Sequence, residues 1–167
     1  LEVEKYILPT FLGGRTAVHQ ASIGCPYPCN FCGVISAYGR REMMESPERT
    51  ETILRHLKTR YRVDSIQFYD NNFFLREDHA RELCERLAPL RLNWWCEARI
   101  DILLRYSDAA LRAIRQAGCR MIFFGAESGA DWVLQAMNKQ LTTRQTLELA
   151  SRIRDFGIIP EFSFVVG

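Results

Sequence analysis

Residues 24–32 read Gly24-Cys25-Pro26-Tyr27-Pro28-Cys29-Asn30-Phe31-Cys32, and this loop follows a strand-like run from Thr16 to Ile23. Its three cysteines have the spacing C-x3-C-x2-C, and two prolines restrict the backbone between the first and the second. Three thiolates this close in sequence can converge on one face of a metal cluster, and soft thiolates select zinc or iron–sulfur. The loop therefore predicts a metal site.

An iron–sulfur cluster matches the cysteine loop better than zinc does. A structural zinc site uses four closed ligands, and no fourth Cys or His lies within the loop, although His19 lies upstream in the first predicted strand. Cys84, Cys96 and Cys119 fall in a predicted helix and predicted strands, where a buried thiol packs as a small apolar side chain. The even cysteine count permits disulfides, but the clustered cysteines form an odd group and this is no small secreted scaffold.

Composition places the chain among single globular domains. Its 167 residues are 47% hydrophobic and 25% charged, so they can bury a core. Lys and Arg number 22 against 20 for Asp and Glu, a net charge of +2 that carries no signal for nucleic acid. No apolar run approaches the roughly 20 residues that a membrane span needs.

Strand-like and helix-like segments alternate outward from the cysteine loop. Ser46-Pro47-Glu48 predicts a helix start, with a capping hydroxyl, a proline in the first turn and an acid near the positive dipole end. The predicted strands cover 16–23, 65–69, 92–98, 120–125 and 158–166. One predicted helix begins at 47, and four more cover 80–87, 110–117, 130–138 and 143–156. Strands that each return through a helix predict an α/β fold with parallel pairing, and their even spacing favours a partial barrel of five β/α units over a doubly wound sheet.

The C-terminal ends of barrel strands carry the chemistry in folds of this kind. Here those ends are 25–32, 70–72, 99–101, 125–129 and Gly167, and the polar and special residues of the chain gather there. We therefore expect the functional side chains to meet at one edge of the sheet.

The cysteine loop resembles the signature of the radical S-adenosylmethionine (radical SAM) superfamily, including Phe31 immediately before the third cysteine. The run 125–129, GAESG, followed by Met137-Asn138-Lys139, resembles the fourth-strand region of the branch that often carries an upstream cobalamin-binding domain, and 95–101 resembles its third strand. The resemblance covers nearly the whole chain. It implies a truncated radical SAM core, a partial barrel of six β/α units of which this chain supplies five.

The resemblance also implies the chemistry. Cys25, Cys29 and Cys32 hold three irons of a 4Fe–4S cluster, and the amino and carboxylate groups of SAM bind the fourth. Reductive cleavage of SAM yields a 5′-deoxyadenosyl radical for hydrogen abstraction, or for methyl or methylthio transfer, on an unknown substrate. An external one-electron donor of the flavodoxin or ferredoxin type is implied, with cobalamin carried by a domain outside this chain. The alternative is a non-catalytic zinc or iron–sulfur binding module.

Six side chains are predicted to contact SAM by this resemblance. They are Phe31, Arg99, Glu127, Ser128, Lys139 and Ser163. Glu127 is assigned to the amino or ribose group because the alternative role, capping the helix near Ala130, is served as well by Ser128. Lys139 is assigned to the methionine carboxylate, the alternative being a solvated surface cation. Ser163 is assigned to the ribose, with Phe162 and Phe164 on the other face of the strand.

Three further expectations concern the turn at 70–72, the chain boundaries and the compartment. Many family members carry a glycine-rich turn that binds the SAM amino group at the position of Asp70-Asn71-Asn72. This chain departs from that pattern, so a plain turn is as good an interpretation as a SAM contact from Asp70. Residues 1–15 are predicted to be a linker from an upstream domain, and 16–167 a core that is cut at its C-terminus, because an apolar strand stops at Gly167. Thiols that must stay reduced predict a cytoplasmic protein.

Overall fold

Parallel strands joined by helices organise the chain in the computed structural model, which describes residues 2–166. The strands are β1 Leu8–Thr10, β2 Gly13–His19, β3 Ser22–Gly24, β4 Glu42–Met44, β5 Ser65–Phe68, β6 Asn93–Ala98, β7 Cys119–Glu127 and β8 Ile159–Phe164. The helices are α1 Val34–Tyr38, α2 Pro47–Tyr61, α3 Glu77–Leu87, α4 Ile100–Leu103, α5 Asp108–Gln116, α6 Asp131–Ala136 and α7 Thr143–Asp155, with short 3-10 turns at Val3–Tyr6 and Ala88–Leu90.

The main sheet is a half-barrel of six strands in the order β1-β2-β5-β6-β7-β8. Five of its strands, β2, β5, β6, β7 and β8, pair in parallel, and β1 adds an antiparallel edge. Because helices separate the parallel strands along the chain, this arrangement confirms the predicted α/β partial barrel with five β/α units. Among the described residues, no helix combines the length and the apolar character that a membrane crossing requires.

The first predicted strand, 16–23, is in fact two strands. β2 ends at His19, and β3 leaves the sheet to form an antiparallel hairpin with β4. The break at Ala21 has a physical cause, because its backbone N–H donates to the buried carboxylate of Asp70 at 3.2 Å instead of to a neighbouring strand. The hairpin carries the chain away from the sheet and into the cysteine loop.

Part of the stretch predicted to be a linker is ordered on the sheet. The 3-10 turn Val3–Tyr6 precedes β1, and β1 pairs with the start of β2. The hydroxyls of Thr10, Thr16 and Ser65 form a chain of 2.7 Å hydrogen bonds across this edge. Residues 8–15 therefore belong to the fold. Gly167, the last of the predicted strand ends, lies outside the described residues.

Local sequence signals account for the helix boundaries. Ser46 caps α2 by accepting from the backbone N–H of Arg49 at 3.2 Å, with Pro47 in the first turn, as predicted. α5 ends before Gly118, whose φ of +107° and close approach to the Leu92 carbonyl would strain any side chain. The predicted apolar faces of α3 and α5 are buried. Their residues, each 2% exposed or less, are Ala80, Leu83, Cys84, Leu87, Ala110, Leu111, Ile114 and Ala117.

The two tryptophans of β6 point to opposite faces of the sheet, as the alternation predicts. Trp94 is 1% exposed in the core beneath the helices, and its indole N–H donates to the Ala117 carbonyl at 2.9 Å. Trp95 packs between the rings of Tyr69 and Phe123 on the inner face of the half-barrel. One face of β6 therefore packs in the helix-covered core, and the other face lines the inside of the half-barrel.

Candidate functional site

A cavity opens at the C-terminal edge of the parallel strands and contains most of the predicted site. It is lined by all three loop cysteines and by Phe31, Arg99, Glu127, Lys139 and Ser163. Asn71 after β5, Ala98 at the end of β6 and Gly125 near the end of β7 are also part of its wall. The side chains converge because parallel strands all end at the same edge of the sheet.

The three cysteines are free thiols, with Cys29 buried and the other two half-buried. Burial raises the pKa of the Cys25 thiol, against opposing effects of the Tyr27 backbone and the Arg99 cation. Within residues 2–166, no three His, Cys, Asp or Glu side chains converge closely enough to hold one metal ion. Three thiols that line one cavity fit a 4Fe–4S cluster, which spreads its thiolate ligands over separate irons.

The cysteine loop is fastened to the residues that follow α6. The backbone N–H of Asn30 donates to the Met137 carbonyl at 3.1 Å, and its side-chain amide donates to the Ala136 carbonyl at 2.8 Å. In return the side-chain amide of Asn138 donates to the Pro28 carbonyl at 2.9 Å. Asn138 has a φ of 51°, a left-handed conformation that asparagine tolerates. These contacts join segments more than 100 residues apart in sequence, and neither asparagine was predicted to be functional.

Arg99 is 6% exposed, and each of its guanidinium nitrogens has a partner in the protein. Nη1 donates to Cys29 Sγ at 3.4 Å, Nη2 to the Lys139 carbonyl at 2.8 Å and Nε to the Asp101 carboxylate at 2.9 Å. The guanidinium carbon also lies 3.6 Å from the centroid of the Tyr27 ring. Arg99 therefore connects β6, the cysteine loop and the segment after α6.

Glu127 and Lys139 form a buried ion pair, with 2.6 Å between carboxylate Oε1 and Nζ. Glu127 has a φ of 62° at an irregularity in the pairing of β7 with β8, and a strained backbone of this kind is frequent at functional sites. A Cβ on Gly125 would collide with the Glu127 carboxylate and lie 2.7 Å from Lys139 Nζ. At 8% exposure Lys139 is not a surface cation, and its Nζ lies 5.8 Å from the Phe31 ring centroid.

The two predicted serines are placed differently. Ser128 lies outside the cavity wall, and its hydroxyl accepts from the backbone N–H of Ala130 at 3.2 Å just before α6. Ser128 therefore stabilises the turn before α6, whereas Glu127 lines the cavity. Ser163 lines the cavity, while Phe162 faces the opposite side and stacks on Phe124 at 5.7 Å between centroids.

The turn after β5 is more than a plain turn. Asp70 is 1% exposed, and burial raises the pKa of its carboxyl to about 6. Asn71 lines the cavity and accepts from the backbone N–H of Gly24 at 2.9 Å, so it joins the turn to the start of the cysteine loop. Asn72 is fully buried, and its amide has no hydrogen-bond partner among the described residues.

Glu97 also lines the cavity and was not predicted from the sequence. Burial raises the pKa of its carboxyl, and the neighbouring carboxylates of Asp70 and Glu161 raise it further. The available signal was an acid at the alternate position from Trp95 in a strand that is otherwise apolar. A half-buried acid in that register points to the inner face of the barrel.

A match to the family model of the radical SAM superfamily covers residues 20–167. The chain belongs to this superfamily, and membership implies a 4Fe–4S cluster and SAM as cofactors.

Three known proteins illustrate the similarity. An uncharacterized methyltransferase of Pyrococcus horikoshii is 28% identical over 90% of this chain and 32% of its own length. The anaerobic magnesium-protoporphyrin IX monomethyl ester cyclase of Rubrivivax gelatinosus is 28% identical over 100% of this chain and 30% of its own length. The solved structure of OxsB, a cobalamin-dependent SAM radical enzyme, superposes with a TM-score of 0.77 at 21% identity, over 90% of this chain and 24% of that protein. The chain thus spans about a third of the curated relatives, and the OxsB likeness shows the fold.

Proposed function

We propose that the full protein is a radical SAM enzyme of the cobalamin-associated branch, and that this chain is its catalytic core. The convergence of Cys25, Cys29 and Cys32 on one cavity carries this proposal. A three-thiolate set leaves one iron of a 4Fe–4S cluster free for SAM, whereas a zinc module would close its fourth position with protein.

When bound, the cluster would supply the electron for reductive cleavage of the C5′–S bond of SAM, which yields methionine and a 5′-deoxyadenosyl radical. The three cysteine thiolates would hold the cluster. The Glu127–Lys139 pair supplies one anion and one cation beside the cavity, matching the amino and carboxylate groups of the methionine moiety. Ser163 offers a hydroxyl at the end of β8 for the ribose, and Phe31, 43% exposed, can shield the cluster from water.

The reaction on the substrate is either hydrogen abstraction or transfer of a methyl or methylthio group. Relatives named as a methyltransferase and as a cyclase support reactions of these two kinds. We propose that cobalamin is held by a domain outside this chain, that a flavodoxin or ferredoxin delivers the electron, and that the protein is cytoplasmic because its thiols must stay reduced.

Anaerobic reconstitution of the full-length protein tests the class. We expect about four irons and four sulfides per chain, and release of 5′-deoxyadenosine when SAM and dithionite are added. Replacing any one of Cys25, Cys29 and Cys32 with Ala should abolish both. One zinc per chain, or 5′-deoxyadenosine from a variant lacking all three cysteines, would overturn the proposal.

The other three cysteines serve as matched controls. Cys84, Cys96 and Cys119 are each 2% exposed or less, so they behave as core side chains. Burial raises the pKa values of the Cys84 and Cys96 thiols well above that of an ordinary cysteine, so both thiols stay protonated. Replacement of any of the three with Ala should leave the cluster and SAM cleavage intact and lower only the free energy of unfolding.

A further inference from the structure

We infer that Arg99 is a positioning residue for the cluster rather than a contact to SAM, and that it raises the one-electron reduction potential of the cluster through Cys29. The inference rests on the proposed function for its redox part. Its structural part, the fastening of the cysteine loop, applies to the protein without any cofactor.

Arg99 is held by contacts on several sides. Nε, Nη1 and Nη2 each donate one N–H, to Asp101, Cys29 and the Lys139 carbonyl, and the face of the guanidinium is covered by the Tyr27 ring. These bonds use three of the five guanidinium N–H groups. A side-on bidentate clamp on a carboxylate needs Nε–H, and Asp101 already accepts from it. The observed contacts therefore fit a positioning residue.

The charge of Arg99 lies next to a cluster ligand. The guanidinium donates to a sulfur that becomes a thiolate when iron binds, and the side chain is 7% exposed, so water screens the interaction poorly. Reduction adds one negative charge to the cluster, and a cation and an N–H donor at a ligand sulfur stabilise that charge. Asp101, 10% exposed at the side chain, partly offsets the cation and keeps it oriented.

The backbone of Arg99 is anchored by the sheet, because the residue follows β6, a strand paired on both sides, and precedes α4. From there it reaches the cysteine loop through Tyr27 and Cys29 and the segment after α6 through the Lys139 carbonyl. Arg99 thus transfers the rigidity of the sheet to a loop that has no strand or helix of its own between Cys25 and Cys32.

The test compares Arg99→Met and Arg99→Lys with Arg105→Gln in the full-length protein. Arg105 is the matched control because it also approaches Asp101, at 3.8 Å, but its side chain is 69% exposed and lies apart from the cysteine loop. In cofactor-free protein, amide hydrogen exchange of residues 25–32 should accelerate at least tenfold in both Arg99 variants and stay within twofold in Arg105→Gln. Exchange in β6 and β7 reports whether each variant is folded.

Potentiometric titration of the reconstituted cluster supplies the second readout. Arg99→Met should lower the equilibrium constant for one-electron reduction at least tenfold, which is about 59 mV, and Arg99→Lys, which keeps the charge, should change it less than threefold. Should Arg99→Met fail to fold, loop exchange in Arg99→Lys decides the positioning role. Unchanged loop exchange in Arg99→Lys, or an equal potential shift in Arg99→Met and Arg105→Gln, overturns the inference. Absence of any cluster in the wild type would instead refute the proposed function, with the exchange result still standing.

Discussion

The Glu127–Lys139 pair supports a quantitative prediction about the stability of the site. The two charged groups are 2.6 Å apart, and their side chains are 10% and 9% exposed. Removing one partner of a buried ion pair leaves the other charge uncompensated and typically costs about 3–5 kcal/mol. Because Gln keeps an acceptor for Lys139 Nζ and the cavity admits water, we expect Glu127→Gln to lower the free energy of unfolding by about 3 kcal/mol, the low end of that range.

A double-mutant cycle separates this pairing from ordinary packing. Lys139→Met should be destabilising by a similar amount, and the double variant should cost less than the sum of the single variants by about 2 kcal/mol. Urea unfolding of the chain, followed by tryptophan fluorescence, measures all four proteins. Costs that add within about 0.5 kcal/mol would show that the two side chains do not interact and would refute the reasoning.

The same substitution tests the placement of SAM. In the full-length enzyme, Glu127→Gln should assemble its cluster normally yet bind SAM at least tenfold more weakly, because a hydrogen bond to a charged acceptor is worth about 1.5–3 kcal/mol. The spectrum of the reduced cluster, recorded during a SAM titration, reports the affinity. An unchanged affinity would remove Glu127 from the SAM site while leaving the enzyme class untouched.

Three further predictions follow from individual contacts. The pKa of Asp70, about 6 against an ordinary 3.8, means that the fold favours its protonated form, so its contribution to stability is present below about pH 4 and is lost as the pH rises through 6. Between pH 4 and pH 8, the free energy of unfolding should therefore fall by about 3 kcal/mol less in Asp70→Asn than in the wild type. An identical fall in both proteins would contradict this. Gly125→Ala should lower the melting temperature, because its Cβ would lie 2.7 Å from Lys139 Nζ, whereas Gly129→Ala, with nothing within 4 Å, should not. Asn138→Ala should speed hydrogen exchange in the cysteine loop. Asn138→Gly permits the φ of 51° but lacks the side-chain amide, so exchange should be equally fast in that variant.

Much of the architecture was predictable because it depends on local patterns. Apolar runs of four to nine residues between helices predict parallel strands, and Ser46-Pro47 marks a helix start that forms independently of distant contacts. The hairpin of β3 with β4 was not predicted because the run Thr16–Ile23 contains no Gly, Pro, Asn or Asp to mark a turn. The break is imposed by the Asp70 carboxylate, which lies 49 residues away in sequence from the Ala21 N–H that donates to it.

The candidate site divides in the same way. The spacing of Cys25, Cys29 and Cys32 by itself predicted the thiolate set, because those ligands lie in one short loop. Only the tertiary structure shows that Glu127 pairs with Lys139 and that Ser128 lies outside the cavity. It also shows that every guanidinium nitrogen of Arg99 has a partner. Hydrogen bonds and ion pairs between distant segments depend on where parallel strands end in space, and a single sequence carries no record of which charged side chain meets which.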